Sequence, residues 1–123
     1  MNDIIVMRNF RELEVWKEGR ILVKKTYNLT KILPETERYG LTSQINRCAV
    51  SIPANIAEGC GKDSNKDFAR FLQMSLGSSY ELETHLILCE DLRFIAPEEL
   101  EPIIDSIQLL QRRIASLIKY NKS

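Results

Sequence analysis

The sequence has few of the residues that interrupt helices or carry chemistry. Its 123 residues include 5 glycines, 4 prolines, 3 cysteines and 1 histidine. An odd cysteine count without a C-x-x-C spacing argues against a disulfide framework and fits a reducing compartment. No apolar run approaches the roughly 18 residues of a membrane span, and the stretch MNDIIVMRNF does not resemble a secretory signal. We therefore expect a cytoplasmic protein with no membrane partner.

The chain also lacks net charge, since its 17 basic and 17 acidic residues cancel. A composition of 44% hydrophobic and 28% charged residues is that of ordinary globular proteins. Overall charge therefore gives no indication of a nucleic-acid partner. The length suits one core, so we expect a single domain over residues 1–123.

Apolar residues recur at spacings of three and four in four segments, and no stretch alternates with period two for long. The first helix should begin at Asn9, with Glu12 at capping-box spacing, and stop before Pro34. Its apolar residues form two adjacent rows that cover roughly 160°, wider than the stripe of about 100° that one core needs, which indicates a second buried contact. These rows are Leu13, Trp16, Val23, Tyr27 and Val15, Leu22, Leu29, Leu33.

The other three helices are bounded by capping signals and prolines. We expect the second to open after Gly40, with Thr42 as a candidate N-cap, and to end at Gly59. The third should run from Ser64, which has Asp67 at capping distance, to about Phe94. The fourth follows Pro97, or starts nearer Pro102. Short connections favour antiparallel neighbours, so the sequence predicts an all-α, antiparallel up-down four-helix bundle.

The stretch AVSIPANIAEGCGK places Pro53 inside the second helix. Proline removes a backbone donor and clashes with the carbonyl four residues earlier. The apolar row of Ile45, Cys48, Ile52 and Ile56 nevertheless crosses Pro53 without losing phase. We therefore predict one kinked helix rather than two.

A polar row also follows the second helix, among small residues that would let another helix come close. If these groups are buried they must be paired, which suits a hydrogen-bonded network between helices or subunits. A ligand pocket and plain solvent exposure are the two alternatives. The polar row comprises Gln44, Arg47, Ser51, Asn55 and Glu58.

An up-down bundle would separate the charges of this neutral chain. One end should carry Arg8, Arg11, Lys62, Lys66, Arg112, Arg113, Lys119 and Lys122, and Lys17, Arg20, Lys24 and Lys31 should continue it along the first helix. The other end should carry Glu35, Glu37, Glu90, Asp91, Glu98, Glu99 and Glu101. Clustered cations can hold phosphates without reading bases. Alternatively, they only solvate a surface and suit helix C-termini.

No catalytic, cofactor or metal site is predicted. GCGKDS lacks the earlier glycine of a phosphate-binding loop and follows a helix rather than a strand. Glu81, His85 and Cys89 can share a helix face, but no further ligand in the sequence completes a metal set. Cys60, between two glycines, suggests an exposed thiol, yet nothing marks His85 as its base. We therefore expect a protein that is not an enzyme.

The segments FRELEVWKEG, YGLTSQINRCAVSIPANIAEGCGK and FARFLQMSLGSSYELET resemble the four-helix-bundle proteins encoded by intervening sequences of bacterial 23S ribosomal RNA genes. The resemblance spans nearly the whole chain, and Gly19 stands where the pattern leads us to expect alanine. It implies a homopentameric ring without enzymatic activity. The chain is also similar to accessory proteins of diversity-generating retroelements, which partner a reverse transcriptase and bind nucleic acid. The residues that match the family's pattern are interpreted as structural or assembly positions; they are Ser51, Pro53, Asn55, Glu58, Gly59, Gly77, Ser78 and Glu81.

Together these observations favour an oligomeric bundle that binds structured RNA, or another nucleic acid such as DNA, through a basic rim. Few aromatic residues lie among the basic ones, so phosphate contacts should dominate over base stacking. The alternative is a protein scaffold or accessory subunit that recruits a partner such as a polymerase. The residues assigned to the rim are Arg8, Arg11, Lys17, Arg20, Lys24, Arg112, Arg113 and Lys119.

Overall fold

The computed structural model describes residues 8–122, and within that range the chain forms four α-helices and no strand. The helices are α1 (Glu14–Thr30), α2 (Leu41–Cys60), α3 (Asn65–Asp91) and α4 (Pro97–Lys122). Short 3-10 turns lie at Phe10–Glu12, before α1, and at Glu35–Glu37, between α1 and α2. Among the described residues, no helix combines the length and the apolar content needed to cross a bilayer.

Hydrogen bonds and ion pairs between helices show that neighbours run antiparallel. Thr30, at the end of α1, bonds Asn46 near the start of α2. Ser75 bonds the carbonyl of Ile52, and Gln111 bonds Glu83 across α3 and α4. Arg113 of α4 pairs with Glu18 of α1 and so closes the ring of helices. The predicted all-α up-down bundle is confirmed.

The core is built from the apolar rows that the sequence predicts. Ile45, Ile52 and Ile56 of α2 are fully buried, with no exposed area on any of the three side chains. They pack with the buried side chains of the other helices, among them Val15, Leu22, Leu72, Leu82, Leu86, Ile107, Leu110 and Ile114. Because the α2 row keeps its phase on both sides of Pro53, the helix buries one continuous face.

Pro53 lies inside α2, as predicted, and polar side chains bond the carbonyls next to it. Ser75 Oγ donates to the carbonyl of Ile52 over 2.9 Å. Asn55 Nδ2 donates to the carbonyl of Ser51 over 2.8 Å, and Ser51 Oγ donates to that of Cys48 over 2.7 Å. Part of the predicted polar row therefore serves its own helix, and the bond between helices comes from Ser75 of α3.

The N-terminal caps of the helices match the caps predicted from the sequence in one case and differ from them in two. Ser64 Oγ accepts from the amide of Asp67 over 3.1 Å, as predicted. Asn9 caps the first 3-10 turn rather than α1, through the amide of Arg11. The prediction for Thr42 is wrong, because Glu37 Oε1 accepts from the amide of Leu41 and takes the capping role.

The third helix ends at Asp91, three residues before the predicted end. Arg93 has a positive φ of 62°, and its amide bonds the carbonyl of Glu90 while that of Phe94 bonds Cys89. This bond pair is a Schellman motif, which usually has glycine at the left-handed position. Arginine at that position hides the helix end from a sequence rule. The predicted ends of the first two helices also shift, to Thr30 and Cys60, and α4 starts at Pro97, the first of the two predicted positions.

Candidate nucleic-acid interface

The first 3-10 turn, the α2–α3 turn and the end of α4 meet at one end of the bundle. Arg8 fixes this arrangement, because its Nη1 donates to the carbonyl of Lys62 over 3.2 Å and its guanidinium lies 4.3 Å from the ring centre of Phe68. A surface cleft joins the start of α3 to Asn121 and Lys122 at the end of α4. We call this the basic end, formed by Arg8, Arg11, Lys62, Lys66, Arg70, Lys119 and Lys122. Two carboxylates, Asp63 and Asp67, lie among its cations.

The opposite end collects the acidic residues, as predicted for an up-down bundle. Glu99 of α4 lines a groove with Asn28 of α1 and with Ile32, just beyond the end of α1. Burial raises the pKa of the Cys89 thiol, and the carboxylate of Glu37 raises it further, which places Glu37 beside the end of α3. We call this the acidic end, formed by Glu35, Glu37, Glu90, Asp91, Glu98, Glu99 and Glu101.

The basic residues of α1 run along the side of the bundle. Arg20 lies 5.6 Å from the ring centre of Trp16. Lys17 forms an exposed ion pair with Glu14 over 3.4 Å, which contributes little to stability because solvent screens both charges. Lys24 is exposed. We call Lys17, Arg20 and Lys24 the α1 stripe.

The eight predicted rim residues do not form one compact rim. Arg8, Arg11 and Lys119 lie at or near the basic end, whereas Arg113 lies nine residues before Lys122, about 14 Å along the helix. Arg113 also pairs with Glu18, so part of its charge is neutralised. Neither Lys24 nor Arg112 forms an ion pair with another described residue. The surface is therefore a basic end continued by cations along the bundle side.

The predicted assembly positions divide into two groups. Gly59 and Pro53 serve packing within the chain: a Cβ on Gly59 would lie 2.8 Å from Cβ of Phe71, and Pro53 lies against Gly19. Gly77 differs, since a Cβ there would meet nothing within 4 Å. The close backbone approach that glycine permits in mid-helix is therefore not made by another described part of this chain.

Apolar grooves flank α1 on both sides, where the sequence predicts a second buried contact. Between α1 and α2, Trp16, Val23 and Val50 line a groove with the ring of Pro53. Between α1 and α4, the grooves are bordered by Ile21, Ile32 and Leu109, which are 56%, 45% and 40% exposed. The excess apolar surface of α1 is thus open on both of its sides.

The structure revises the interpretation of the cysteines, all of which are free and buried. Cys60, expected as an exposed thiol, is 3% exposed, and burial raises its pKa against the opposing charge of Arg8. Cys89 lies fully in the core and is not part of the cluster that Glu81 and His85 form. The cysteine that meets Glu81 and His85 is Cys48 of α2. Sequence spacing missed it, because a contact between two helices depends on their register and not on a local repeat.

Comparison with known proteins agrees with the fold. The family model described as 23S rRNA-intervening sequence protein matches residues 11–116. A crystal structure of a protein of unknown function, from the S23 ribosomal protein family of Bacteroides thetaiotaomicron VPI-5482, is 29% identical. The match covers 85% of this chain and 98% of that chain, with a TM-score of 0.79. No curated protein matches the chain.

Proposed function

The chain belongs to the family of 23S rRNA-intervening sequence proteins, and from this premise we propose that it is a non-enzymatic, homo-oligomeric bundle that binds structured RNA. The segregation of charge along the bundle carries the proposal. Net charge is zero, yet one end gathers seven cations and the other seven carboxylates. Such a surface attracts a polyanion to one end and repels it from the other.

The basic end and the α1 stripe suit phosphates better than bases. Arg8, Arg11 and Arg20 lie over the rings of Phe68, Phe10 and Trp16. Those rings are covered by their own arginines and offer little surface for base stacking, although Tyr120 at the end of α4 is 79% exposed. Stacking also limits the motion of each guanidinium, whose free N–H groups can reach phosphate oxygens. Binding should therefore depend strongly on salt and weakly on RNA sequence.

Assembly of several subunits would strengthen a surface that is only moderately basic in one chain. The apolar grooves beside α1 supply area that a second copy can cover, and the family resemblance points to a pentamer. A ring would repeat the basic end around one rim, so that several weak phosphate contacts act together. We place this assembly in the cytoplasm, where three unpaired cysteines are ordinary.

The proposal is tested by charge reversal on the basic surface. The variant Lys66→Glu/Lys122→Glu changes two exposed cations that line one cleft of the basic end and form no ion pair with the described residues, whereas reversal of Arg113 would place a second carboxylate beside Glu18. Fluorescence anisotropy with a structured ribosomal RNA fragment should show at least about tenfold weaker binding, with unchanged oligomeric mass.

A matched control changes net charge by the same amount at the acidic end. Arg38→Glu/Arg93→Glu should bind RNA within about twofold of the wild type, because those two cations lie away from the basic surface. Equal losses in both variants would show that only overall charge matters. No RNA binding by the wild type would overturn the proposal and favour the protein scaffold, whose docking surface would then be the grooves beside α1.

A further inference from the structure

Cys48 of α2 and Glu81 and His85 of α3 bring three metal-binding groups together at the seam between the two helices. One ligand atom from each side chain lies within 4.8 Å of the other two. Cys48 is 6% exposed, while the side chains of His85 and Glu81 are 14% and 61% exposed. The cluster therefore has a buried sulfur, a largely buried imidazole and a carboxylate that opens toward solvent.

The chemistry of the three groups suits one kind of ion. Thiolate, imidazole and carboxylate are the ligands of zinc, at distances of about 2.0 to 2.3 Å, and a tetrahedral site sets its ligand atoms about 3.3 to 3.7 Å apart. His85 Nε2 and Glu81 Oε2 are already 3.4 Å apart. The sulfur needs to move by about 1 Å at most to complete the set.

His85 supplies a second observation. Its Nδ1 is buried and has no hydrogen-bond partner within the described chain. An unpaired buried polar atom destabilises the fold, so packing alone is a poor reason for an imidazole here. Coordination through Nδ1 would give this atom its partner and leave Nε2 to contact Glu81, so Nδ1 is the ligand atom that this observation favours.

We propose that Cys48, Glu81 and His85 bind one divalent transition-metal ion, with zinc as the reference case, and leave its fourth position open to solvent. When the ion binds, a metal–sulfur bond replaces the S–H bond of Cys48, and the thiol proton leaves to solvent. Glu81 coordinates through a carboxylate oxygen and His85 through the lone pair of a ring nitrogen. The ion then ties α2 to α3 beside Gly77 and Ser78. This site is independent of RNA binding.

Within the chain without metal, the same groups form a hydrogen-bonded cluster. Burial is the main cause that raises the pKa of Cys48 to about 12, and the hydrogen bond from its thiol to Glu81 is the second. That bond, with a smaller contribution from His85, lowers the pKa of Glu81. Arg47 is the neighbouring cation whose charge opposes the shift at Cys48. The ion must displace the proton that Cys48 shares with Glu81.

Cobalt(II) is the probe for this site, because a thiolate bound to it gives a near-ultraviolet charge-transfer band that oxygen and nitrogen ligands do not. The full chain should bind one equivalent of cobalt, show that band, and lose it when zinc is added. Cys48→Ala should abolish the band. Cys60→Ala, which removes another buried cysteine of α2 outside the cluster, should keep it.

Glu81→Gln changes an exposed side chain and tests the site even if Cys48→Ala does not fold. Glu81→Gln and, as a separate variant, His85→Gln should each weaken cobalt binding by at least about tenfold. Absence of the band in the wild type would overturn the proposal. A band that survives in folded Cys48→Ala, or cobalt affinity unchanged by Glu81→Gln, would overturn it as well.

Discussion

Gly19 of α1 lies directly against the ring of Pro53 in α2. A Cβ at position 19 would stand 3.4 Å from Cβ and 3.5 Å from Cδ of Pro53, and 3.6 Å from Cγ2 of Ile52. These are ordinary van der Waals distances, so the seam has room for one methyl group. The glycine that departs from the family pattern is thus not required by close packing.

Gly19→Ala should stabilise the protein. Alanine favours the helix over glycine by about 1 kcal/mol, and the new methyl group would be buried against Pro53 without a clash. Thermal unfolding followed by circular dichroism should show a higher midpoint. A lower midpoint would mean that α1 and α2 lie closer together than these distances indicate.

Gly59→Ala should have the opposite effect, although the substitution is the same and the residue is also buried within a helix. A Cβ there would lie 2.8 Å from Cβ of Phe71 and 3.1 Å from Cδ1 of Phe68. The helices must move apart, at a cost of about 1 to 3 kcal/mol. Urea unfolding should show a lower midpoint, and an unchanged midpoint would contradict this account of the α2–α3 contact.

Gly77→Ala tests the stability of the subunit and its assembly separately. Within the described chain the new methyl group meets nothing, so the subunit should gain about 1 kcal/mol from helix propensity. If a second copy packs against α3 at Gly77, the oligomeric mass should fall at a given concentration. Light scattering across a dilution series measures it. An unchanged dissociation midpoint would place the interface elsewhere, such as the grooves beside α1.

Cys48 should make the protein sensitive to alkali. Its pKa rises from the ordinary 9.0 to about 12 in the fold, so above pH 9 the unfolded thiol ionises while the folded one stays protonated. Stability is complete below pH 9 and is lost toward pH 12, by up to about 1.4 kcal/mol for each pH unit. Metal-free Cys48→Ala should lose stability less steeply over this range in urea titrations. Parallel pH profiles would contradict this assignment.

The sequence predicted the structure well wherever a local rule decides it. The unbroken row from Ile45 to Ile56 placed one helix across Pro53, and Ser64 marked the start of α3. The prediction of Thr42 as N-cap was wrong because Glu37, which precedes α2, caps the helix instead. The predicted end of the third helix near Phe94 was wrong because Arg93 occupies a left-handed position that usually holds glycine.

The candidate sites were harder to predict, because they depend on how separate helices align. The alternation of acidic and basic ends follows from the up-down topology alone and was predicted. The contact of Cys48 with Glu81 and His85 depends on the register of α2 against α3, which no spacing within one helix fixes. The ion pair that removes Arg113 from the free basic surface depends likewise on the register of α1 and α4.

The salt dependence of RNA binding tests the central claim most directly. Affinity of the wild-type oligomer for a structured ribosomal RNA fragment would be measured by anisotropy across a potassium chloride series. If the basic end and the α1 stripe hold phosphates, the logarithm of the affinity should fall linearly with that of salt concentration, and Lys66→Glu/Lys122→Glu should reduce the slope by about one to two. A slope near zero, or one that the variant shares with the wild type, would contradict the proposed interface.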